Sequence, residues 1–236
     1  MEFYRVLSKF YDEIFPLKEP QKKFLKNYLT REKINSVLDV GCGSGSYVLE
    51  LAGWGIRTMG VDLSPEMVNI ARAKVPEQDK NSSFAVGNML DLTGIPGQFD
   101  GVLCLGNTLA HLIEPGELSQ ALNQFKQKGK HLLLQVVNYD RVLAKQITEL
   151  PEITTPNLVF RRFYEHLPSG LIKFSMEIEL GDKTKLSEAN TLSALTRDAL
   201  TEKLVDAGWR PTEWWGSFAG EEWSSEAPAT IVSAVG

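Results

Sequence analysis

Residues 36–51 read SVLDVGCGSGSYVLEL: an apolar run ends in an acid, three glycines alternate with small residues, and a helical pattern follows. Glycine loses more conformational freedom on folding than any other residue and brings no side chain to pack. Three of them alternating directly after a buried strand imply a backbone that turns sharply and lets a ligand approach closely. Few folds place a strand, a bare turn and a helix in that succession.

The flanking sequence keeps the same rhythm. Residues 37–40 form the first expected strand, and a helix from about Ser46 to Trp54 is stopped by Gly53 and Gly55. IRTMGVD (56–62) is a second strand ending in an acid. In SPEMVNIARAK, Ser64 is placed as an N-cap, Pro65 at the first helical position and Glu66 in the first turn. Residues 82–88, 98–107 and 130–138 supply three more strands, the last preceded by a helix over 115–128. Strict alternation of strand and helix over about 100 residues implies parallel strands joined by helical crossovers, a doubly wound α/β sheet.

After Asn138 the pattern changes. Residues 157–180 alternate apolar and polar around LPSG, which predicts an antiparallel β-hairpin inserted into the α/β body. Helix returns in TRDALTEKLVDAGW, with Thr196 as N-cap and Gly208 as stop. Strands over 209–217 and 230–235 complete a mainly parallel, seven-stranded sheet. Ahead of the sheet, Tyr4, Leu7, Phe10, Tyr11 and Ile14 lie at helical spacing, with a break at Pro16 and Pro20. The expected organisation is a helical segment over 1–30, an α/β core over 31–138 and 190–236, and a β-rich insertion over 139–189.

Composition narrows the partners. With 236 residues and 43% hydrophobic content the chain needs no metal or disulfide staple, and none is expected. Cys42 and Cys104 make neither a disulfide framework nor a zinc set and read as small buried residues in a reducing compartment. The net charge is −5, and the basic clusters Lys18/Lys22/Lys23/Lys26 and Arg161/Arg162 are small and diluted by acids, which disfavours nucleic acid. No apolar run approaches the roughly 18 residues of a membrane span, and the first residues do not resemble a signal peptide. A cytoplasmic monomer or homodimer without membrane partners is expected.

In doubly wound sheets ligands sit beyond the carboxyl ends of the strands, near the switch in strand order. Residues 41–45, Asp62, Asn88 and residues 105–107 all fall at such ends. Dinucleotide enzymes use Gly-x-Gly-x-x-Gly, whereas Gly41-Cys42-Gly43-Ser44-Gly45 is followed by Ser46. No Gly-Lys-Ser/Thr follows either, which rules out a phosphate-cradling loop. Asp39 would repel pyrophosphate but suits a ligand bearing positive charge, such as a sulfonium or ammonium. Asp62 has the position to accept hydrogen bonds from both hydroxyls of a ribose.

The stretch LDVGCGSGSYVLELAGWGIRTMGVDLSPEMVNIARAK resembles the glycine-rich and acidic motifs of the class I S-adenosylmethionine-dependent methyltransferases. The resemblance continues through FAVGNMLDL and FDGVLCLGNTLAHL to LTRDALTEKLVDAGWRPTEWW, covering residues 36–138 and 190–236. It implies a Rossmann-like methyltransferase fold, S-adenosyl-L-methionine as cofactor, S-adenosyl-L-homocysteine as product, and a helical lid over the cofactor. Gly41, Cys42, Gly43 and Gly45 would line the methionine part, with Asp39 near its amino group. Asp62 would bind the ribose, Leu63 and Met67 would pack beside the adenine, Asn88 would contact its amino group with Met89 nearby, and the Leu105 carbonyl would face the methionine end.

Candidates for the reaction itself are His111, Tyr11 and Tyr139, with Tyr4, Asn138 and Arg162 as substrate contacts. His111 either orients or deprotonates a substrate or is a surface or capping histidine. Tyr4 and Tyr11 either reach the ligand or pack in the core. NYD at 138–140 and LGNTLAHL resemble small-molecule N-methyltransferases of the glycine and sarcosine type, which would put Asn138 and Tyr139 in the acceptor pocket. One of Arg161 and Arg162 faces inward and could pair with a substrate carboxylate. Trp214, Trp215 and Trp223 form either an aromatic wall around a cation or ordinary sheet packing. The expected reaction is in-line methyl transfer to a nitrogen or oxygen of a small molecule. A non-catalytic S-adenosylmethionine-binding regulator, an NAD-dependent oxidoreductase and a macromolecule-modifying methyltransferase are the rivals.

Overall fold

A computed structural model describes residues 2–236. The central strand β1 (Ser36–Val40) is buried at all five positions, as a parallel strand covered on both faces must be. On one side it pairs in parallel with β2 (Arg57–Asp62), which pairs with β3 (Ser82–Val86). On the other side it pairs with β4 (Phe99–Cys104), and β4 with β5 (Gly129–Val137). Two antiparallel strands, β10 (Arg210–Trp215) and β11 (Ala229–Val235), extend the sheet to the order β10-β11-β5-β4-β1-β2-β3. The chain leaves β1 for β2 and β3, then crosses back to β4. Strand order therefore reverses between β1 and β4, and a crevice opens beyond their carboxyl ends.

Helices α4 (Ser46–Gly53), α5 (Pro65–Ala73), α6 (Glu117–Lys128) and α8 (Arg197–Asp206) connect the sheet. At α5 and α8 the caps are the ones the sequence marks. Ser64 accepts from the Met67 amide at 3.3 Å with Pro65 next to it, and Thr196 accepts from the Ala199 amide at 3.3 Å. Replacing Thr196 by Ala, far from the crevice, is expected to lower the unfolding free energy by about 1 kcal/mol in urea titrations, with the midpoint moved and the slope unchanged.

Three helices precede the sheet, α1 (Glu2–Lys9), α2 (Tyr11–Ile14) and α3 (Glu19–Arg31). Pro20 does not break the chain as expected. It sits in the first turn of α3, where its missing N–H costs nothing. The fourth strand also ends earlier than expected, at Cys104, because Gly106 and Asn107 take positive φ values of 71° and 70°. A short 3₁₀ turn follows over Thr108–His111.

The larger difference lies after β5. The insertion is a helix, α7 (Tyr139–Ala144), followed by a four-stranded antiparallel sheet rather than a single hairpin. Its central hairpin, β7 (Leu158–His166) and β8 (Leu171–Leu180), is the one the sequence shows. The flanking strands β6 (Glu149–Thr154) and β9 (Lys185–Ser193) were not expected. Each is an edge strand: β6 carries Pro151, and β9 is mostly polar, so neither has a strong strand pattern. The second sheet continues to Ser193, past the expected end of the insertion at residue 189.

One face of this second sheet spans two packing partners. Leu158, Phe160, Met176 and Ile178 pack on Phe3, Leu7 and Ile14 of the N-terminal helices. Tyr164, Ile172 and Leu192 join the main core instead. The N-terminal segment is thus held between the second sheet and the crevice.

Candidate active site

The glycine loop folds as its composition demands. Gly41, Gly43 and Gly45 have φ of 76°, 53° and 83°, a region open to glycine and costly for other residues. Space restricts the loop as well, since a Cβ on Gly41 would lie 2.4 Å from Thr108 Cγ2 and one on Gly45 2.7 Å from the Phe84 ring. The Gly41 and Cys42 amides both donate to the Val61 carbonyl, at 2.7 and 3.0 Å, which ties the loop to the end of β2.

Two carboxylates frame the loop. Asp62 Oδ2 accepts from the Gly43 amide at 2.8 Å and Oδ1 from the Ser64 amide at 2.9 Å. Asp39, at 1% exposure, is different: its Oδ2 is buried with no hydrogen-bond partner. Burial, with the charge of Asp62 second, raises its pKa from 3.8 to about 7. A buried acid without a donor is destabilised until a donor arrives, and a cationic one suits it best.

The crevice holds two chambers. The larger, about 570 Å³, is lined by Asp62, Leu63, Met67, Asn88 and Met89, with Tyr4 and His111 also on its wall. The smaller, about 370 Å³, is lined by Asp39, Tyr47, Leu105, Gln135 and Ile153, and by Ile14, Phe15 and Leu17 of the N-terminal segment. Tyr11, Gly41, Gly106 and Thr108 border both. Tyr11 reaches its place because Asp12 anchors the segment, accepting from Ser44 Oγ at 2.5 Å, Ser46 Oγ at 3.0 Å and Lys74 Nζ at 2.7 Å. Burial, then the acids Asp62, Asp12 and Asp39, pushes the Tyr11 phenol up to about 12, so it stays protonated at neutral pH.

Every residue expected to touch the cofactor lies along this crevice except Gly45, which turns the chain into α4 and packs against Phe84. Leu63 stands 69% exposed at the rim. The Asn88 side chain already accepts from the Leu90 amide at 3.0 Å, closing a local turn. The Leu105 carbonyl takes the Thr108 hydroxyl at 2.7 Å and retains one lone pair. His111 ends the 3₁₀ turn at the solvent edge, and desolvation of its ring lowers its pKa, favouring neutral imidazole. Tyr4 donates to Asn190 Oδ1 at 3.0 Å, joining α1 to β9.

Asn138 and Tyr139 do not line either chamber, contrary to expectation. Asn138 caps α7 and donates to the Ser224 and Ala227 carbonyls, at 3.0 and 2.9 Å. Tyr139 is fully buried, its hydroxyl accepting from Asn107 Nδ2 at 3.0 Å. The NYD stretch opens a helix there, and a helix start turns these side chains into the core. Arg162, also expected to meet the substrate, lines neither chamber: it lies on β7 and donates to the Pro151 carbonyl at 2.7 Å. The tryptophans hold a cation of the chain itself: Arg197 stands 5.2 Å from the Trp214 ring and 4.6 Å from that of Trp223, while Trp215 packs on Phe24. Cys42 and Cys104 are unpaired and buried.

Sequence reasoning missed Asp12, Tyr47, Thr108 and Gln135. Only Thr108 had a signal, in the bulk that forces glycine at position 41. The other three come from separate elements and meet only in the folded chain.

Residues 37–130 match the family described as methyltransferase domain. The chain is similar to a glycine/sarcosine N-methyltransferase of Parasynechococcus marenigrum strain WH8102, 33% identical over 130 residues, covering 53% of this chain and 46% of that protein. A ubiquinone biosynthesis O-methyltransferase of Xanthomonas euvesicatoria pv. vesicatoria strain 85-10 is 34% identical over 103 residues, 43% of each chain. The chain spans less than half the length of these curated relatives. In fold it is similar to an S-adenosylmethionine-dependent methyltransferase from Clostridium acetobutylicum ATCC 824, with a TM-score of 0.84 at 15% identity, over 99% of this chain and 98% of that one. The likeness of fold thus extends over the N-terminal helices and the second sheet.

Proposed function

We propose that this chain is an S-adenosylmethionine-dependent methyltransferase acting on a nitrogen or oxygen of a small molecule. One observation carries the reading: Asp39 Oδ2 is buried and unpartnered beneath a loop of positive-φ glycines at the reversal of strand order. An acid so placed opposes pyrophosphate and suits an amino group. The domain match and relatives named for N- and O-methylation support the reaction class.

The residues present fit the cofactor. Asp39 would hold the amino group of its methionine part, and Asp62 keeps lone pairs for ribose hydroxyls beyond the two backbone amides it already accepts. Met67, Met89 and Leu63 offer apolar surface to a purine. When bound, S-adenosylmethionine supplies a methyl group on a positively charged sulfur, which the lone pair of the acceptor takes as neutral S-adenosylhomocysteine leaves.

The work left to the protein is alignment and exclusion of water. Tyr11, bordering both chambers and protonated, donates a hydrogen bond and does not accept the acceptor's proton. His111, its pKa lowered by desolvation, stands on the wall of the larger chamber only and does not face the smaller chamber, which takes the acceptor. Ile14, Phe15, Leu17 and Ile153 wall the smaller chamber with apolar surface, which makes it the place for the acceptor. Two unpaired buried thiols suit work in a reducing cytoplasm.

Calorimetric titration of the ligand-free protein with S-adenosylmethionine, S-adenosylhomocysteine and NADH tests the reading. Both sulfur ligands are expected to bind with dissociation constants of about 1–100 μM, about 5–8 kcal/mol of binding free energy, and NADH not at all. Binding of NADH alone would overturn it in favour of an oxidoreductase.

A further inference from the structure

We propose that the methyl acceptor carries an anionic group, a carboxylate or an equivalent two-oxygen acid, and that Arg162 selects it; this rests on the methyltransferase reading above. Side chains alternate along a strand, so Phe160, Arg162 and Tyr164 share one face of β7. Phe160 packs on the N-terminal helices and Tyr164 on the main core. Arg162 stands between them, where the second sheet bridges the two bodies that enclose the crevice. Ile153, the register partner of Phe160, lines the smaller chamber, and the Phe15 ring of its wall meets Phe160 edge to face at 5.8 Å. Arg162 itself lines neither chamber, so the acceptor must be long enough to extend past Ile153 along the sheet to reach it.

The charge of Arg162 has no counterpart. Its neighbour Arg161, on the opposite face, pairs with Glu152 at 2.7 Å and Glu179 at 3.2 Å. Arg162 has the Pro151 carbonyl at Nη2 and the Phe160 ring, 5.6 Å from centroid to guanidinium. Its Nε is buried without a partner, and among the described residues no carboxylate lies within 4.0 Å of the guanidinium. On the same face Met176 pairs across from Arg162 and Glu188 across from Met176. That puts Glu188 two strands away, about 10 Å at the usual strand spacing. Desolvation accordingly lowers the Arg162 pKa from its ordinary value.

A half-buried cation with an unpaired donor is costly to the fold unless an anion arrives. A guanidinium in that state is suited to a planar two-oxygen acid, which a lysine ammonium would hold less well. A purely structural arginine bracing Pro151 would not need an unpartnered Nε aimed into the protein.

The test uses protein loaded with S-adenosylhomocysteine, titrated calorimetrically with two matched pairs, β-alanine and its primary amide, and 3-aminobenzoate and 3-aminobenzamide. At least one acid is expected to bind about ten-fold or more tighter than its amide. Arg162→Met should lose that preference and Arg162→Lys retain part of it. Both should bind S-adenosylhomocysteine within about two-fold of wild type, and Arg162→Met should keep or raise Tm because a methionine can fill the site without charge. Arg141→Met, which removes the other guanidinium with a buried unpaired Nε, should leave the preference intact. Equal binding of acid and amide, no binding of any of the four, or a preference that survives Arg162→Met would each overturn the proposal. So would a preference lost only in Arg141→Met. Failure of wild type to bind S-adenosylhomocysteine would strike the methyltransferase reading instead, and the same titrations on unloaded protein would then test the Arg162 site by itself.

Discussion

Replacing Asp39 by Asn is expected to stabilise the ligand-free protein at pH 8 and to remove most of its cofactor affinity. In the folded chain burial, then the charge of Asp62, raises the Asp39 pKa from 3.8 to about 7. Between those two values the unfolded chain has released a proton that the folded chain still holds, so stability falls as pH rises from about 4 to about 7. Above pH 7 the loss is complete, on the order of 4 kcal/mol for a group this buried. Asn is neutral throughout. The gain from Asp39→Asn in urea titrations should therefore be a few kcal/mol at pH 8 and shrink toward nothing near pH 4.

Binding should move the other way. An ammonium group needs the ionised acid, so wild-type affinity for S-adenosylhomocysteine is expected to drop about ten-fold per pH unit below 7, with uptake of a proton by the freed site. The Asn variant should bind about a hundred-fold more weakly at pH 8 and show no such slope. Equal affinity in the two proteins at pH 8 would show that Asp39 does not meet the amino group. A variant no more stable than wild type at pH 8 would show that the acid is not destabilised by its burial.

The difference between what was legible and what was not follows the range of the interactions. The glycine loop, Asp39 and Asp62 could be read because each is specified within a few residues: a strand end, a run of glycines, an acid at the carboxyl end of a strand. The caps at Ser64 and Thr196 are equally local. That β1 to β5 run parallel followed from the alternation of strand and helix, which the structure breaks once, between β3 and β4, where no helix intervenes. By contrast, β6 and β9 are polar edge strands that exist because β7 and β8 offer them partners, and nothing within their own residues announces a strand. Asn138 and Tyr139 were misplaced for a related reason. Their position at the end of β5 suggested the crevice, but Asn138 is drawn to the carbonyls of residues 224–227, nearly ninety positions away. Asp12 belongs to the same class, since its partners Ser44, Ser46 and Lys74 come from the glycine loop, α4 and the residue after α5.

Replacing Asp62 by Ala should damage both fold and site, and the two losses can be separated. One carboxylate accepts from Gly43 at the loop after β1 and from Ser64 at the head of α5, so it fixes the two segments relative to each other. Hydrogen bonds to a charged acceptor contribute about 1.5–3 kcal/mol each, and Asp62→Ala is expected to lower the unfolding free energy by about 3 kcal/mol. Its cofactor affinity should fall a hundred-fold or more, because the ribose acceptors are lost and the Gly43 loop is no longer held. Asp62→Asn keeps one oxygen and should lose less stability than affinity. The same replacement removes the second cause of the raised Asp39 pKa, so the fall in stability with pH should reach completion below pH 7 in Asp62→Ala. If Asp62→Ala bound S-adenosylhomocysteine within about three-fold of wild type while losing the expected stability, Asp62 would be a brace for the loop. The ribose would then have to lie elsewhere in the larger chamber, where Glu66 and Glu117 are the remaining acids on its wall.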